Sequence, residues 1–224
     1  MIKKVFTFKT LHPKKYTQLL IILIINFVLA PFLYGIIGRL FSSAILLYAI
    51  IIIVKTFSIN RKLLRLYLGI ASLAFTLEIF ARFDWYDSEM TFLKVAIHSV
   101  YALYLGVAVF LIVRDIIQTK HITADTIRGS ICAYLLIGFV WALLYVIVAS
   151  FDERAFSQTA SEADFYARAI HFSFTTITTL GYGDIVPVSP FATMLTNLEA
   201  VIGQLYPSTL IAVLVGNYTS QKMR

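Results

Sequence analysis

Long apolar runs set the terms for this chain. Six of them fall at about residues 18–38, 40–57, 63–82, 92–113, 128–150 and 190–218. Each approaches the roughly 20 residues that a helix needs to cross the hydrocarbon core of a bilayer. Little is left over for a soluble domain. Of the 224 residues, 59% are hydrophobic and 14% are charged, where soluble domains carry about a quarter charged. The expected fold class is an all-α integral membrane protein with six transmembrane helices. The first run continues past the small residues of "VLA" into Pro31, so it reads as a retained span and not as a cleaved signal. Cys132, the single cysteine, lies inside an apolar run. That excludes a disulfide framework and a cysteine-based metal site.

The basic residues orient the runs. With the amino terminus in the cytoplasm, six spans bring both termini to that side, together with 14 of the 19 Lys and Arg. Arg39, Arg82, Lys94, Arg154 and Arg168 fall outside, along with acids such as Asp84, Asp87, Asp152 and Asp184. This is the asymmetry of the positive-inside rule. The net charge of +7 thus reports topology and contact with anionic lipid, not nucleic acid. The expected location is a plasma membrane, a bacterial inner membrane in particular. Residues 1–17 read as a basic cytoplasmic segment lying on the inner leaflet.

A seventh helical segment, about 163–178, is too short and too rich in threonine to span. It lies between the fifth and sixth runs. Ser161 with Asp164 three residues on forms a capping-box pattern, and the helix "FYARAIHFSFTTIT" stops at "TLGYG". The chain is expected to dip into the membrane as a short helix and return as irregular backbone. Such backbone is tolerated at that depth only when buried in protein or lining a watery cavity. Two glycines permit left-handed torsions, which let successive carbonyls point the same way. A row of carbonyls aimed at one axis replaces the water around a cation, and the carboxyl end of the preceding helix adds partial negative charge.

The string "TITTLGYGD" at 176–184 resembles the signature of the potassium-channel pore-loop family. The resemblance covers roughly the last 100 residues. It implies a bacterial-type six-span potassium channel with one carboxyl-terminal two-helix pore module. The domain plan is then a four-helix membrane domain over 18–118 and a pore domain over 119–224. Within the latter come an outer helix at 128–150, a re-entrant pore helix at 163–178, a filter loop at 179–183 and an inner helix at 190–218. Four copies of such a loop make one filter, so the resemblance implies a homotetramer. The backbone carbonyls of Thr179, Leu180, Gly181 and Tyr182 would bind K+, with the Thr179 hydroxyl forming the innermost ring. Gly183 and Asp184 would shape the outer mouth, and Thr176 and Thr178 would support the filter from behind. No cofactor is implied beyond the permeant ion.

Three positions depart from the family pattern. Leu180 stands where valine or isoleucine is usual, and a γ-branched side chain is less stiff than a β-branched one. His171 and Phe172 replace two tryptophans of the pore helix. Thr175 stands where some bacterial members have a glutamate. The first of those tryptophans typically bonds the aspartate after GYG. His171 is accordingly expected to contact Asp184, with its protonation altering the outer mouth.

In the last run, Gly203 lies 22 residues after Gly181, the spacing of the family's inner-helix hinge. Pro207 removes a backbone bond four residues later. Hinge and close packing both stand as readings of Gly203. Gln204, Pro207 or Ser208, and Ile211 share one helical face. Glu199 is costly inside a span unless partnered, and a backbone amide or a threonine behind the filter is the expected partner. The fourth run holds only Lys94 and His98 near one end and Arg114 near the other, which is no voltage sensor. Arg61, Lys62 and Arg65 fit snorkelling, and Glu78 and Arg82 are spaced to pair. About six residues follow the last run. Gating is therefore expected to be intrinsic, lipid-linked, pH-linked or supplied by another protein. Against the potassium channel stand a weakly selective cation channel and a non-conducting membrane subunit that keeps the pore scaffold. An enzyme is not expected, since no span offers a metal-ligand cluster or a nucleophile–base pair.

Overall fold

The computed structural model describes residues 15–29, 61–80, 91–119, 122–157 and 162–222, with scattered positions from 32 to 52. Among them every regular element is an α-helix. In chain order these are α1 (Lys15–Leu29), α2 (Arg61–Phe80), α3 (Thr91–Gln118), α4 (Ala124–Phe151), α5 (Glu162–Ile177) and α6 (Pro190–Lys222). Helices α3 and α4, 28 residues each, are long and apolar enough to cross a membrane. The protein is thus an all-α membrane protein. The run expected at 40–57 lies largely outside the described residues. So do Pro31, Ser161 with its capping box, and the Arg82 partner expected for Glu78.

Helix boundaries follow local chemistry. α4 starts at Ala124, four residues before the expected 128, because Thr123 and Thr126 cap it reciprocally. The Thr126 N–H donates to Thr123 Oγ1 at 3.2 Å, and the Thr123 N–H donates to Thr126 Oγ1 at 3.3 Å. A threonine can thus fill the role usually given to Glu or Gln at the third helical position. α6 opens with Pro190 at its first position, where the missing N–H costs nothing. Ser189 caps it, accepting from the Ala192 N–H at 3.2 Å.

α4 is the hub. α3 lies along one side, burying Leu105 and Ile112 beside Leu136, Phe139 and Leu143 of α4 in one continuous core. α1 lies along another side and approaches closely at Gly129, where a Cβ would stand 2.8 Å from the Tyr16 ring. Small residues let membrane helices come this near. Polar contacts lock the same end. The Tyr16 N–H donates to Asp125 Oδ1 at 3.2 Å, and its hydroxyl donates to Asp115 Oδ2 at 2.6 Å. At the far end of α1 the Phe27 ring sits 4.5 Å from that of Phe174 on α5. The first helix therefore reaches the short helix directly.

α5 rests in the angle between α4 and α6. An aromatic cluster holds its buried face, with Phe172 5.0 Å from Tyr145 and 5.5 Å from Phe156. Phe156 is in turn 5.6 Å from Phe165. Phe172 therefore supports the helix from the core side.

Candidate functional site

The site is the loop that joins α5 to α6. Its backbone alternates in hand, with φ of +59° at Thr179, +55° at Gly181 and +77° at Gly183. Glycine adopts such values freely. Thr179 does not, and among the described residues it is the one non-glycine with positive φ. A β-branched side chain in this region is strained and persists only where its surroundings over-determine it.

The surroundings are hydrogen bonds back to α5. The Thr179 N–H donates to the Thr176 carbonyl at 2.9 Å, and the Gly181 N–H donates to the Thr175 carbonyl at 3.0 Å. Two orphan carbonyls of the helix end are satisfied in this way. A trans peptide holds its N–H and the preceding C=O antiparallel. Turning the Gly181 N–H onto the helix therefore turns the Leu180 carbonyl away from it. Thr175 and Thr176 meet the loop through backbone carbonyls. The Thr175 hydroxyl donates to Phe172 O at 3.0 Å and the Thr178 hydroxyl to Phe174 O at 2.6 Å. Both hydroxyls finish their own helix. Leu180 and Tyr182 stand 57% and 67% exposed.

The outer limb of the loop is pinned separately. His171 Nε2 lies 3.0 Å from Asp184 Oδ2, the contact expected from the sequence. The same imidazole stacks on Tyr182, with ring centroids 5.9 Å apart and planes 6° from parallel. Beyond Asp184, Phe156 and Pro187 form a β-bridge. The Ser157 N–H donates to Val186 O at 2.9 Å and the Val188 N–H to Ala155 O at 2.7 Å. Nothing in the sequence marked this bridge, because its two halves are separated by all of α5.

Glu199 is buried in α6, and its partners differ from those expected. Neither a backbone amide nor a threonine reaches it. The Ser173 hydroxyl of α5 donates to Oε1 at 2.5 Å, and the Tyr145 hydroxyl of α4 donates to Oε2. Ser173 also lies 2.7 Å from the Gly138 carbonyl, so two acceptors share its one proton. All three side chains are fully buried. The carboxyl group thus ties three helices together directly behind the loop. A lone acid inside an apolar run signals that donors must exist; it does not say which.

Gly203 packs against the carboxyl end of α5. A Cβ there would collide with the Ile177 backbone carbonyl, an atom that also accepts from the Tyr134 hydroxyl at 3.1 Å. Close approach is thus required of Gly203. α6 runs on through Pro207, which removes the helical donor for the Gly203 carbonyl. Tyr206 anchors this stretch to α4, donating to Ser130 O at 3.0 Å and stacking 5.9 Å from Tyr134. Gln204, on the open face of α6, donates through Nε2 to the Thr179 hydroxyl oxygen at 3.2 Å.

Comparison with known proteins agrees with this geometry. Residues 130–220 match a family described as an ion channel. Over 101 residues, 44% of its length, the chain is 32% identical to the potassium voltage-gated channel protein shk-1 of Caenorhabditis elegans. Over 86 residues, 38% of its length, it is 30% identical to the inward rectifier potassium channel Kirbac3.1 of Paramagnetospirillum magnetotacticum. These alignments span 18% and 27% of the two relatives. No solved structure matches the chain. The fold is that of an all-α membrane protein in which a short helix, an irregular loop and a long helix follow one another. Over residues 130–220, less than half of its length, the chain is thus similar to ion channels, and both of these relatives are potassium channels.

Proposed function

We propose that this chain is one quarter of a potassium channel, conducting K+ passively through a filter that four copies complete. The observation that carries this reading is the loop at 179–183. Its φ angles alternate in sign and its N–H groups at Thr179 and Gly181 are spent on α5. Carbonyls freed in this way are the ligands a dehydrated cation needs. The reading takes α5 as a re-entrant pore helix, α4 and α6 as outer and inner helices, and the amino-terminal half as four spans without a voltage sensor. Both termini then lie in the cytoplasm of a bacterial cell, with basic residues on anionic lipid.

Exposure supports the oligomer. Leu180, Tyr182, Phe191, Met194, Leu198 and Leu205 are apolar and more than 45% exposed. The last four recur on α6 at positions 191, 194, 198 and 205, a helical spacing that puts them on one face, and three further copies would cover it. Pro207, which leaves the Gly203 carbonyl without a helical donor, provides a place for the inner helix to bend beyond the packed Gly203.

The test is a reversal potential. Purified protein in lipid vesicles under opposed K+ and Na+ gradients gives a potential that tracks K+. Gly181→Ala and Gly183→Ala abolish the current, since alanine is strained at φ of +55° and +77°. A second reading, a weakly selective cation channel, is favoured by Leu180, whose flexible side chain is more than half exposed. A Na+-tolerant potential would establish it. No current from well-folded protein would leave a non-conducting subunit.

A further inference from the structure

The Thr179 hydroxyl has two neighbours, and they fix its direction. Its proton is committed to the Thr178 carbonyl at 2.7 Å. Its oxygen therefore accepts from Gln204 Nε2 at 3.2 Å. An amide oxygen at that position would face a hydroxyl with no proton left to give, so the network itself decides which way the Gln204 amide points. Gln204 is held from its own side as well. The helix turn that carries it bonds the Ser208 hydroxyl to the Gln204 carbonyl at 2.8 Å. One residue earlier, Gly203 is wedged against Ile177. The amide thus stands on a rigid base beneath the strained residue that begins the loop.

Size discrimination at a cation site depends on ligands that do not follow a smaller ion inward. The Leu180 carbonyl is restrained by the bond from the Gly181 N–H to α5. The Thr179 hydroxyl is tied on one side only to the adjacent Thr178 carbonyl. The amide of Gln204 supplies a second restraint, from another helix. It also presents a partial positive charge to the hydroxyl oxygen, opposing its collapse onto a small cation.

We propose that Gln204 is a specificity-determining residue of the innermost cation site, acting by pinning the Thr179 hydroxyl oxygen. This rests on reading the loop as a cation filter. Replacing Gln204 by leucine keeps the bulk and removes the donor. The K+ to Na+ permeability ratio then falls about three- to tenfold, the range that one hydrogen bond commands. Double substitution separates the mechanism from mere packing. In a Thr179→Val background no hydroxyl remains to pin, and Gln204→Leu changes the ratio no further. In a Thr179→Ser background the hydroxyl remains, and the full effect of Gln204→Leu returns.

Reversal potentials of the purified, reconstituted protein measure all of these, with size-exclusion profiles to confirm assembly. Should Thr179→Val not assemble, Gln204→Glu serves in its place. It also lacks the donor, and it lowers the ratio as leucine does. Equal ratios for wild type and Gln204→Leu, or an undiminished effect of Gln204→Leu in Thr179→Val, overturn the assignment of Gln204 while leaving the channel reading intact. A well-assembled wild-type protein that carries no current overturns the channel reading and this proposal with it.

Discussion

The two faces of α5 are built differently. Its inner face is over-determined: Phe172 lies in an aromatic cluster, Ser173 is bonded to Glu199, and the end of the helix is wedged against Gly203. Each of these groups is satisfied within one protomer. The outer face and the loop beyond carry His171, Asp184, Leu180 and Tyr182, all of them exposed. Here few contacts hold each group and much apolar surface is left uncovered. A rigid back and an uncovered front are what the proposed assembly of four copies requires. The back sets where the loop stands.

If that contrast is right, substitutions on the back harm the folded protein, and those on the front leave it standing. Glu199→Ala has the largest effect. It removes the acceptor of the buried Tyr145 hydroxyl, leaves Ser173 only the Gly138 carbonyl, and opens a cavity where the side chain stood, at about 2–4 kcal/mol together. It should lower the thermal midpoint in detergent more than any change on the front. Gly203→Ala follows at about 1–3 kcal/mol, since the atom it meets is backbone and cannot swing aside. Tyr145→Phe, which removes one donor and keeps the ring, costs about 1–2 kcal/mol by the same assay. Should any of these leave the melt unchanged, the back is less determined than its contacts indicate.

His171→Phe sharpens the other side. The His171–Asp184 pair is close to half exposed, so its removal moves stability by well under about 1 kcal/mol. Its effect belongs to the outer mouth. Loss of the bond to Asp184 in His171→Phe should therefore change the current and leave the melt unchanged. A clearly lowered thermal midpoint would place the pair with the back instead. The smallest effect is expected for Gly106→Ala on α3. No atom lies within 4 Å of the added Cβ, and the gain in helix propensity stabilises by up to about 1 kcal/mol.

Much of this was legible residue by residue. The apolar runs gave a helical membrane protein because no other backbone satisfies itself in lipid. "TLGYGD" located the loop, and glycine at 181 and 183 foretold two of the three left-handed residues. Thr179 was not foretold as the third, since propensity alone argues against it and only the bonds from α5 impose it. The His171–Asp184 contact was reachable by analogy of position. Its stacking on Tyr182 was not, because stacking depends on how the loop folds back. For Glu199 the need for a partner was clear, while Ser173 and Tyr145 lie 26 and 54 positions away on different helices. No local pattern links such positions.

Composition, periodicity and one short motif determined that this chain is a helical membrane protein with a glycine-containing loop between a short helix and a long one. These are local properties, set by the length of an apolar run or by which residues tolerate a given torsion. Only the tertiary structure decided what lies behind the loop: the acid shared by two hydroxyls, the glycine against a carbonyl, the bridge between Phe156 and Pro187, and the reach of α1 to Phe174. Each joins residues far apart in the chain. Such pairings follow from how whole helices pack, which no stretch of sequence states by itself.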